Sequence, residues 1–415
     1  MSEEAGNIPR RLLKRAGGLS RNVLALSAVS LLNDTSSEII YPLLPTFLAL
    51  TLGASPFAIG LIEGIAESVA SLLKLFSGYV SDKFGNRKLP VFIGYAFAAL
   101  TRPFLSFVTT WPQVLMVRTA DRVGKGIRGS PRDALIASST PVERRGFAFG
   151  FNRAADNMGA VLGPIIAFLL LYFIAVNHEN PTAREYQQVF LYASIPVVFG
   201  LLVIVFFVHE READKPANGS QEPIKLSLKG FDSTFKWYLA VLALFTLSNS
   251  TDAFLLLRAQ QAGIDPPLLP LLWMVLNVSK VLSSLVFGHM SDRVGRRVLI
   301  VSGWAVYALV YAGFAFVSSP WQAWTLFVIY GTYFGLTEGN EKALVADMVN
   351  DEKRGTAFGF YNLAYGITVL PASILFGLVW TKYGASYAFL ASAAVSIVAA
   401  VLFLSLVKPK HAANA

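Results

Sequence analysis

The sequence has 415 residues, of which 54% are hydrophobic and only 15% are charged, and its mean hydropathy is +0.53. Soluble domains carry about 25% charged residues, so this composition excludes a protein whose whole surface faces water. The formal charge of +9 does not indicate nucleic-acid binding, because the basic residues lie in short clusters between apolar runs and not on one patch. With no cysteine, disulfides and thiolate metal sites are excluded.

The apolar runs predict an all-α membrane protein with twelve spanning helices, because one span needs about 20 mostly apolar residues. In the first half of the chain the predicted helices cover 22–50, 56–81, 89–108, 112–137, 144–175 and 186–208. In the second half they cover 237–262, 266–290, 298–318, 321–348, 355–381 and 385–407. The predicted domains are a basic N-terminal segment (1–21), two six-helix bundles (22–208 and 236–407), a polar linker (209–235) and a tail (408–415).

Lys and Arg are distributed unevenly between the two sides of the predicted bundle. The tails and the even-numbered loops carry 21 of the 35, whereas the odd-numbered loops carry only Arg184 and Lys382. Because loops rich in Lys and Arg stay in the cytoplasm, both termini and the linker are predicted to be cytoplasmic. The expected location is a bacterial cytoplasmic (inner) membrane, where the protein is a monomer surrounded by lipid.

An internal repeat supports this organisation. Segment 78–87 recurs at 288–297 with an offset of 210, and segment 143–151 recurs at 352–360 with an offset of 209. Two related halves with parallel topology follow, an arrangement found in one large class of transporters. The repeat also predicts that the charged segment 112–137 is a membrane helix, because it aligns with the more apolar segment 321–346. Charges inside a membrane protein are tolerated where they face its interior or a cavity.

The repeated segments resemble the major facilitator superfamily over nearly the whole chain. The family's loop signature of Gly, Asp, Gly and a basic cluster is matched here twice, although Asn86 stands where a basic residue is usual. The resemblance implies a conformational latch on the cytoplasmic side, formed by Gly78, Asp82, Gly85, Arg87, Lys88, Asp292 and Arg296.

Helices 4 and 5 carry two further matches to the family. Arg118 falls where proton-driven members have an arginine implicated in coupling, although Arg122 occupies a position where glycine is usual. In helix 5 the spacing of Gly150, Gly159, Gly163 and Pro164 resembles the antiporter motif, with its final glycine pair replaced by Ala167 and Phe168. Family members with this motif are typically exporters, so the resemblance implies export. The alternative is that these small residues serve only helix packing.

Charged residues inside the predicted helices indicate a polar interior. On helix 2, the residues Glu63, Glu67 and Lys74 share one face. In the family, helices 1, 4, 7 and 10 line a central cavity, which implies that the lining residues are Asp34, Glu38, Arg118, Arg122, Asp252, Glu338 and Glu341. We expect Asp34 or Glu38 to act with Arg118 in proton coupling. A fixed ion-pair network that holds the helices together is the alternative for each residue.

The sequence therefore predicts a secondary active transporter that exports a small polar or charged organic molecule by alternating access, driven by a proton gradient. The alternative is an importer or a uniporter, including one for a metal ion or a metal chelate. No H-E-x-x-H or G-x-S-x-G pattern occurs, so an enzyme is not expected. We expect no cofactor and no resident metal.

Overall fold

The computed structural model describes residues 18–84, 87–210, 227–350 and 353–407, and every regular element in these ranges is helical. The first half contains α1 (Arg21–Ile40, prolonged by Leu44–Thr46 and the π-turn Phe47–Thr51), α2 (Pro56–Phe84), α3 (Lys88–Thr101, prolonged by the 3-10 turn Arg102–Phe107), α4 (Trp111–Ser138), α5 (Arg145–Ile174) and α6 (Ala183–Phe207). The second half contains α7 (Ser233–Ser248 and Ala253–Gln261), α8 (Leu269–Val294), α9 (Arg296–Phe316), α10 (Pro320–Met348), α11 (Arg354–Tyr383) and α12 (Ala385–Leu406).

These twelve helices confirm the predicted fold class, since each one overlaps its predicted range. Residues 1–17 of the predicted N-terminal segment, 211–226 of the predicted linker and the tail 408–415 lie outside the described residues. Ten of the helices are long and apolar enough to cross a membrane, and α4 and α10 are the two that are not. The charged α4 nevertheless packs along α2 and α3 inside the first half, as the repeat predicts.

The start of α4 shows how the two halves repeat each other. Thr110 and Gln113 form a capping box there, in which each side chain satisfies a backbone N–H at the helix end. In α10, 209 residues further along the chain, Ser319 and Gln322 form the same box. The local signal that begins the helix is therefore present in both halves, and the preceding Phe-Val pair, 107–108 and 316–317, is repeated as well.

Close helix contacts are repeated as well. A Cβ placed on Gly126 of α4 would lie 2.5 Å from the Cβ of Leu73 in α2, which is far closer than two carbon atoms can approach. At the equivalent place, a Cβ on Gly335 of α10 would lie 2.7 Å from the Cβ of Ser283 in α8. Glycine lets the backbones come together in both pairs, so the pseudo-symmetry extends to packing.

The two halves contact each other mainly at the face opposite to the terminal face, which we define as the face where α1 begins and α12 ends. There, the backbone N–H of Phe57 in α2 donates to the Oγ1 of Thr381 in α11 at 3.1 Å. A Cβ on Gly377 would lie 2.6 Å from a carbonyl oxygen of α2. Near the terminal face, Gly146 and Gly355 have no neighbour within 4 Å of such a Cβ. The backbones of the two halves are therefore in close contact at the face opposite to the terminal face, and these two glycines have open space beside them.

Helix α7 is interrupted at residues 249–252, and the interruption positions an acidic residue. Irregular backbone is tolerated at membrane depth only where protein or a water-filled cavity satisfies its polar groups. Here the hydroxyl of Tyr307 donates to the carbonyl oxygen of Ser248 at 2.6 Å, and the hydroxyls of Ser250 and Tyr311 lie 3.2 Å apart. Asp252 directly precedes the second helical piece of α7.

Candidate functional site

A cavity of about 490 Å³ lies between the halves. Five of the seven residues that were predicted to line a central cavity do line it, namely Asp34, Glu38, Arg118, Arg122 and Asp252. The predicted polar face of α2 contributes Glu63, Glu67 and Lys74. The structure thus brings these side chains together in one space, and their roles in transport stay predictions.

Two ion pairs between α2 and α4 lie on the part of the cavity wall that the N-terminal half forms. The guanidinium of Arg118 holds Glu63 through Nε and Nη2, at distances of 2.7 to 3.0 Å. Both residues are almost completely buried, with exposed fractions of 4% and 2%. One helical turn away, Arg122 contacts Glu67 at 3.0 Å. The ion-pair partner of Arg118 is therefore Glu63, and its action with Asp34 or Glu38 in proton coupling stays a prediction.

Sequence reasoning did not single out Arg102, which joins three helices. Its Nε contacts Asp121 of α4 at 3.0 Å. Its two Nη atoms donate to the backbone and side-chain oxygens of Asn33 in α1, at 2.9 and 3.1 Å. Asn33 in turn donates to Asp34 at 2.9 Å. The signal was present in the sequence, because an arginine within an apolar helix requires a buried partner.

Three of the six carboxylates that line the cavity, Asp34, Glu38 and Asp252, have no basic partner. Within the described ranges, no Lys or Arg nitrogen lies within 4 Å of their oxygens. Each is held by a neutral donor instead: Asp34 by the Asn33 amide, Glu38 by Trp273 Nε1 at 2.6 Å and Asp252 by the Tyr330 hydroxyl at 2.8 Å. These donors fix the carboxylates in position without neutralising their charge.

Tyr41 connects the arginine pair with the unpaired carboxylates. The guanidinium carbon of Arg118 lies 5.8 Å from the centre of the Tyr41 ring, within the range of a cation–π contact. The Tyr41 ring lies 4.8 Å from that of Trp273, the residue that donates to Glu38. A continuous series of contacts therefore runs from Arg118 in α4 to Glu38 in α1.

The glycines of α5 explain how α1 is placed beside the cavity. A Cβ on Gly159 would lie 2.9 Å from the Cβ of Asp34, and one on Gly163 would lie 2.6 Å from the Cβ of Glu38. Only glycine permits this approach, so these two residues set the position of both carboxylates. Gly150, the first glycine of the motif, has no neighbour within 4 Å. Pro164 lies buried inside the helix.

Glu338 does not line the cavity, and its placement there is corrected by the structure. Its carboxylate contacts Lys280 at 3.0 Å, Arg153 of the other half at 3.5 Å and Lys342 at 3.9 Å. Glu338 is thus the centre of a cluster of three basic residues, of which Arg153 also borders the cavity.

Glu341 is also absent from the cavity wall, which is the second correction. It is buried inside the C-terminal half, where it accepts hydrogen bonds from Trp304 at 3.2 Å and Tyr361 at 3.0 Å. Glu338 contacts Lys280 of α8, whereas Glu341, one turn further along α10, contacts Trp304 of α9 and Tyr361 of α11.

Of the predicted latch residues, Gly85 lies outside the described residues, and Gly78, Asp82 and Asp292 lie within α2 and α8. The backbone N–H groups of Arg87 and Lys88 donate to the carboxylate of Glu210, at 2.8 and 2.7 Å. Glu210 therefore caps the start of α3, a contact that sequence reasoning missed.

The remaining latch residue, Arg296 at the start of α9, reaches the end of α10. It donates to the carbonyl oxygen of Ala343 at 2.8 Å and pairs with Asp347. A cation near the C-terminal end of a helix is favourably placed. The contact joins two helices of the same half, and the role of a latch between states stays a prediction.

Comparison with known proteins identifies the family. A sequence model described as Major Facilitator Superfamily matches residues 26–341 and 259–415. The chain is similar to an uncharacterized MFS-type transporter of Methanocaldococcus jannaschii, with 33% identity over 392 residues, which are 93% of this chain and 95% of the relative. It is also similar to the multi-drug resistance efflux pump PmrA of Streptococcus pneumoniae, with 24% identity over 343 residues, which are 79% of this chain and 82% of the relative.

Among solved structures, the nucleoside transporter NupG superposes with a TM-score of 0.75 at 16% identity, over 94% of this chain and 100% of that one. At this identity the likeness concerns the fold alone. The matched family and the twelve helices in two related halves lead to one conclusion: this chain is a multi-pass membrane transporter that belongs to the major facilitator superfamily.

Proposed function

We propose that this transporter is a proton-coupled exporter of a small polar or charged organic molecule. The observation that carries the proposal is the set of three cavity carboxylates, Asp34, Glu38 and Asp252, which no basic residue of the described ranges neutralises. They lie in the same cavity as the paired Arg118 and Glu63.

The physical reason is the cost of an uncompensated charge away from bulk water. A charge near the middle of a membrane costs at least about 2.5 kcal/mol. Either a proton or a cationic group of a substrate can remove that cost at a carboxylate such as Glu38. Because both compete for the same oxygens, binding of one favours release of the other. Exchange of substrate for protons follows directly from such competition.

Arg118 and Glu63 provide the link to conformational change. An arginine that loses its carboxylate partner in a buried site must find another. The contacts through Tyr41 and Trp273 connect this pair with Glu38, so protonation at one place alters the packing at the other. The pair is therefore the element through which proton binding changes the contacts between α2 and α4.

Two observations support the direction of export. The glycines of α5 that resemble the antiporter motif hold α1 against the cavity, and the chain is similar to an efflux pump of Streptococcus pneumoniae. With both termini in the cytoplasm of a bacterial cell, as we propose, the cavity would open to the cytoplasm. An exported molecule would enter from that side. We further propose that the transporter works as a monomer.

The test is transport by the purified protein in liposomes that contain a pH-sensitive dye. Candidate substrates come from a panel in which cells with and without the protein are compared for growth and accumulation. We expect a substrate gradient to move protons in the opposite direction, and we expect Glu38→Gln and Asp252→Asn to abolish this movement. Transport that is unaffected when the proton gradient is collapsed would refute the proposal. Cation-dependent uptake would instead favour import, including import of a metal ion.

A further inference from the structure

The wall that α4 contributes to the cavity carries positive charge without a matching carboxylate. Lys125 is exposed to the cavity, and within the part of the chain that the structure describes no carboxylate lies within 4 Å of its ammonium group. Arg122, three positions earlier on the same face of α4, is buried and contacts Glu67 through Nη2 only. Its Nε is buried with no hydrogen-bond partner in the described structure.

Other residues around the cavity combine negative charge with aromatic rings. Asp252 in α7 is held by the Tyr330 hydroxyl, and Glu38 is held by the indole of Trp273. The ring of Tyr330 in α10 lines the same space, and the ring of Phe334 there already has the ammonium group of Lys280 4.4 Å from its centre. Carboxylates beside aromatic faces favour organic ammonium groups, because both the charge and the ring quadrupole attract a cation. This part of the cavity therefore suits the cationic end of a molecule.

We propose that the transported molecule is a small zwitterion, an inference that rests on the proposed function of the cavity as the transport site. Its ammonium group binds at Glu38 and Asp252, and its acidic group binds at Lys125 and Arg122. A molecule with only a cation would leave Lys125 and the Nε of Arg122 without a partner. A molecule with only an anion would leave the two carboxylates uncompensated. The cavity of about 490 Å³ is within the range of small-molecule sites.

This arrangement gives the substrate a mechanical role. Lys125 and Arg122 belong to the N-terminal half, whereas Asp252 belongs to the C-terminal half. A zwitterion held at all four residues therefore connects α4 with α7, whereas a molecule with only a cation at Glu38 and Asp252 connects α1 with α7 and leaves α4 without a contact.

The experiment measures equilibrium binding to the full-length purified protein in detergent, as the rise of its thermal unfolding midpoint with ligand concentration. The probes are matched triads built on an aromatic amino acid, an aliphatic amino acid and a dipeptide. Each triad contains the zwitterion, its C-terminal amide with only the cation, and its N-acetyl form with only the anion. No gradient is present, so failure of proton coupling or of export in the liposome assay leaves this result unaffected.

We expect at least one zwitterion to bind about tenfold or more tightly than both of its singly charged forms, because each charged end adds a hydrogen bond to a charged group of the protein. In Lys125→Met the zwitterion should lose its advantage over the amide, while Lys125→Arg should keep it. In Asp252→Asn the zwitterion should lose its advantage over the N-acetyl form. Lys125 is exposed, so its variants should unfold at the midpoint of the unmodified protein when no ligand is present.

Three results would overturn the inference. They are an amide that binds as tightly as its zwitterion, a preference that survives in Lys125→Met, and a panel in which no zwitterion is preferred. Zwitterion binding combined with transport that ignores the proton gradient would refute the proposed coupling and leave this inference standing.

Discussion

In α4, the positions that face the first half's interior carry Arg118, Asp121 and Arg122, whereas the positions 209 residues further along the chain carry Phe327, Tyr330 and Gly331 in α10. The difference extends to the neighbouring helices. Glu63 in α2 corresponds to Trp273 in α8 at an offset of 210, and Arg102 corresponds to Tyr311 at an offset of 209. A network of ion pairs in one half thus occupies the place of an aromatic network in the other.

Both networks fill the same space between equivalent helices, but they respond to protons differently. In the C-terminal half, the rings of Tyr307 and Tyr311 stack with centroids 4.1 Å apart, and those of Tyr330 and Tyr333 lie 5.6 Å apart and nearly parallel. Such contacts depend on dispersion and on burial of apolar area. An ion pair such as Glu63 with Arg118 depends on charge, which a proton can remove. The N-terminal half therefore carries more of the charges that a proton can remove, whereas the C-terminal half combines its aromatic network with Asp252 at the cavity.

The largest effect is expected from breaking the central pair of the N-terminal half. Glu63→Met leaves the guanidinium of Arg118 buried without a partner, which costs about 3–5 kcal/mol. Replacing both residues with Met removes the charge altogether and should restore most of this loss. Thermal unfolding in detergent measures both variants. If the double variant were as unstable as the single one, the packing of these two side chains, and not their charge, would be what stabilises the protein.

A smaller effect is expected at the one carboxylate that the aromatic half presents to the cavity. Tyr330→Phe keeps the ring and removes the hydroxyl that donates to Asp252 at 2.8 Å. A hydrogen bond to a charged group contributes about 1.5–3 kcal/mol, and one between neutral groups about 0.5–1.5 kcal/mol. Tyr333→Phe, which removes a hydrogen bond between neutral groups, is therefore the matched control. The Tyr333 hydroxyl only accepts from the amide of Asn249, at 3.2 Å.

The thermal unfolding midpoints of Tyr330→Phe and Tyr333→Phe test whether Asp252 depends on the Tyr330 hydroxyl. Tyr330→Phe should be the less stable of the two. Equal midpoints would show that water in the cavity replaces the Tyr330 hydroxyl and that Asp252 does not depend on its aromatic neighbour.

The next prediction concerns the helix packing that distinguishes the halves. Gly163→Ala should destabilise the protein by about 1–3 kcal/mol, because the added Cβ overlaps the Cβ of Glu38. The equivalent residue 209 positions later is Ala372, so the variant gives the first half the residue of the second. Gly150→Ala belongs to the same motif, adds its Cβ where nothing lies within 4 Å, and should be neutral or slightly stabilising.

Transport should follow stability in this pair of variants. Transport activity should fall in Gly163→Ala, where Glu38 is displaced, and persist in Gly150→Ala. Equal activity in the two would mean that the position of α1 against α5 does not matter for the cavity.

The fold could be predicted from the sequence because its determinants are local or repeated. Apolar runs of about 20 residues determine where the chain crosses the membrane. The internal repeat predicts that α4 lies inside the bundle, even though its charges make it less apolar than the ten helices that meet the hydropathy requirement. The face of α2 that carries Glu63 and Glu67 follows from helical periodicity alone. None of this requires knowledge of which helices are neighbours.

The partners inside the site could not be predicted in the same way. Periodicity gives the relative directions of side chains on one helix, but not the rotation of that helix against its neighbours. The pairing of Arg118 with Glu63 of α2 was therefore not predicted, although both residues were singled out. The same limit explains Glu341, which faces Trp304 and Tyr361 in place of the cavity. A charge in a helix predicts that a partner exists, and only the packing determines which one.

The smallest effect on stability is expected at an ion pair between the two halves. Arg153 of the N-terminal half lies 3.5 Å from Glu338 of the C-terminal half, and their side chains are 58% and 35% exposed. Exposed pairs contribute about 0–1 kcal/mol, and Glu338 keeps Lys280 at 3.0 Å when Arg153 is replaced. Arg153→Gln should therefore leave the unfolding midpoint nearly unchanged, in contrast to Glu63→Met.

What Arg153→Gln should change is the contact between the halves. Because the chain has no cysteine, single cysteines can be introduced at the ends of α5 and α10 on the terminal face and labelled for distance measurement between the halves. We expect the variant to broaden the measured distances, since one direct contact across the cavity mouth is lost, and we expect high salt to have the same effect on the unmodified protein. A loss of stability as large as that of Glu63→Met would show instead that this pair is as desolvated as the one between α2 and α4, and the contrast between a buried network within one half and a screened contact between halves would fail.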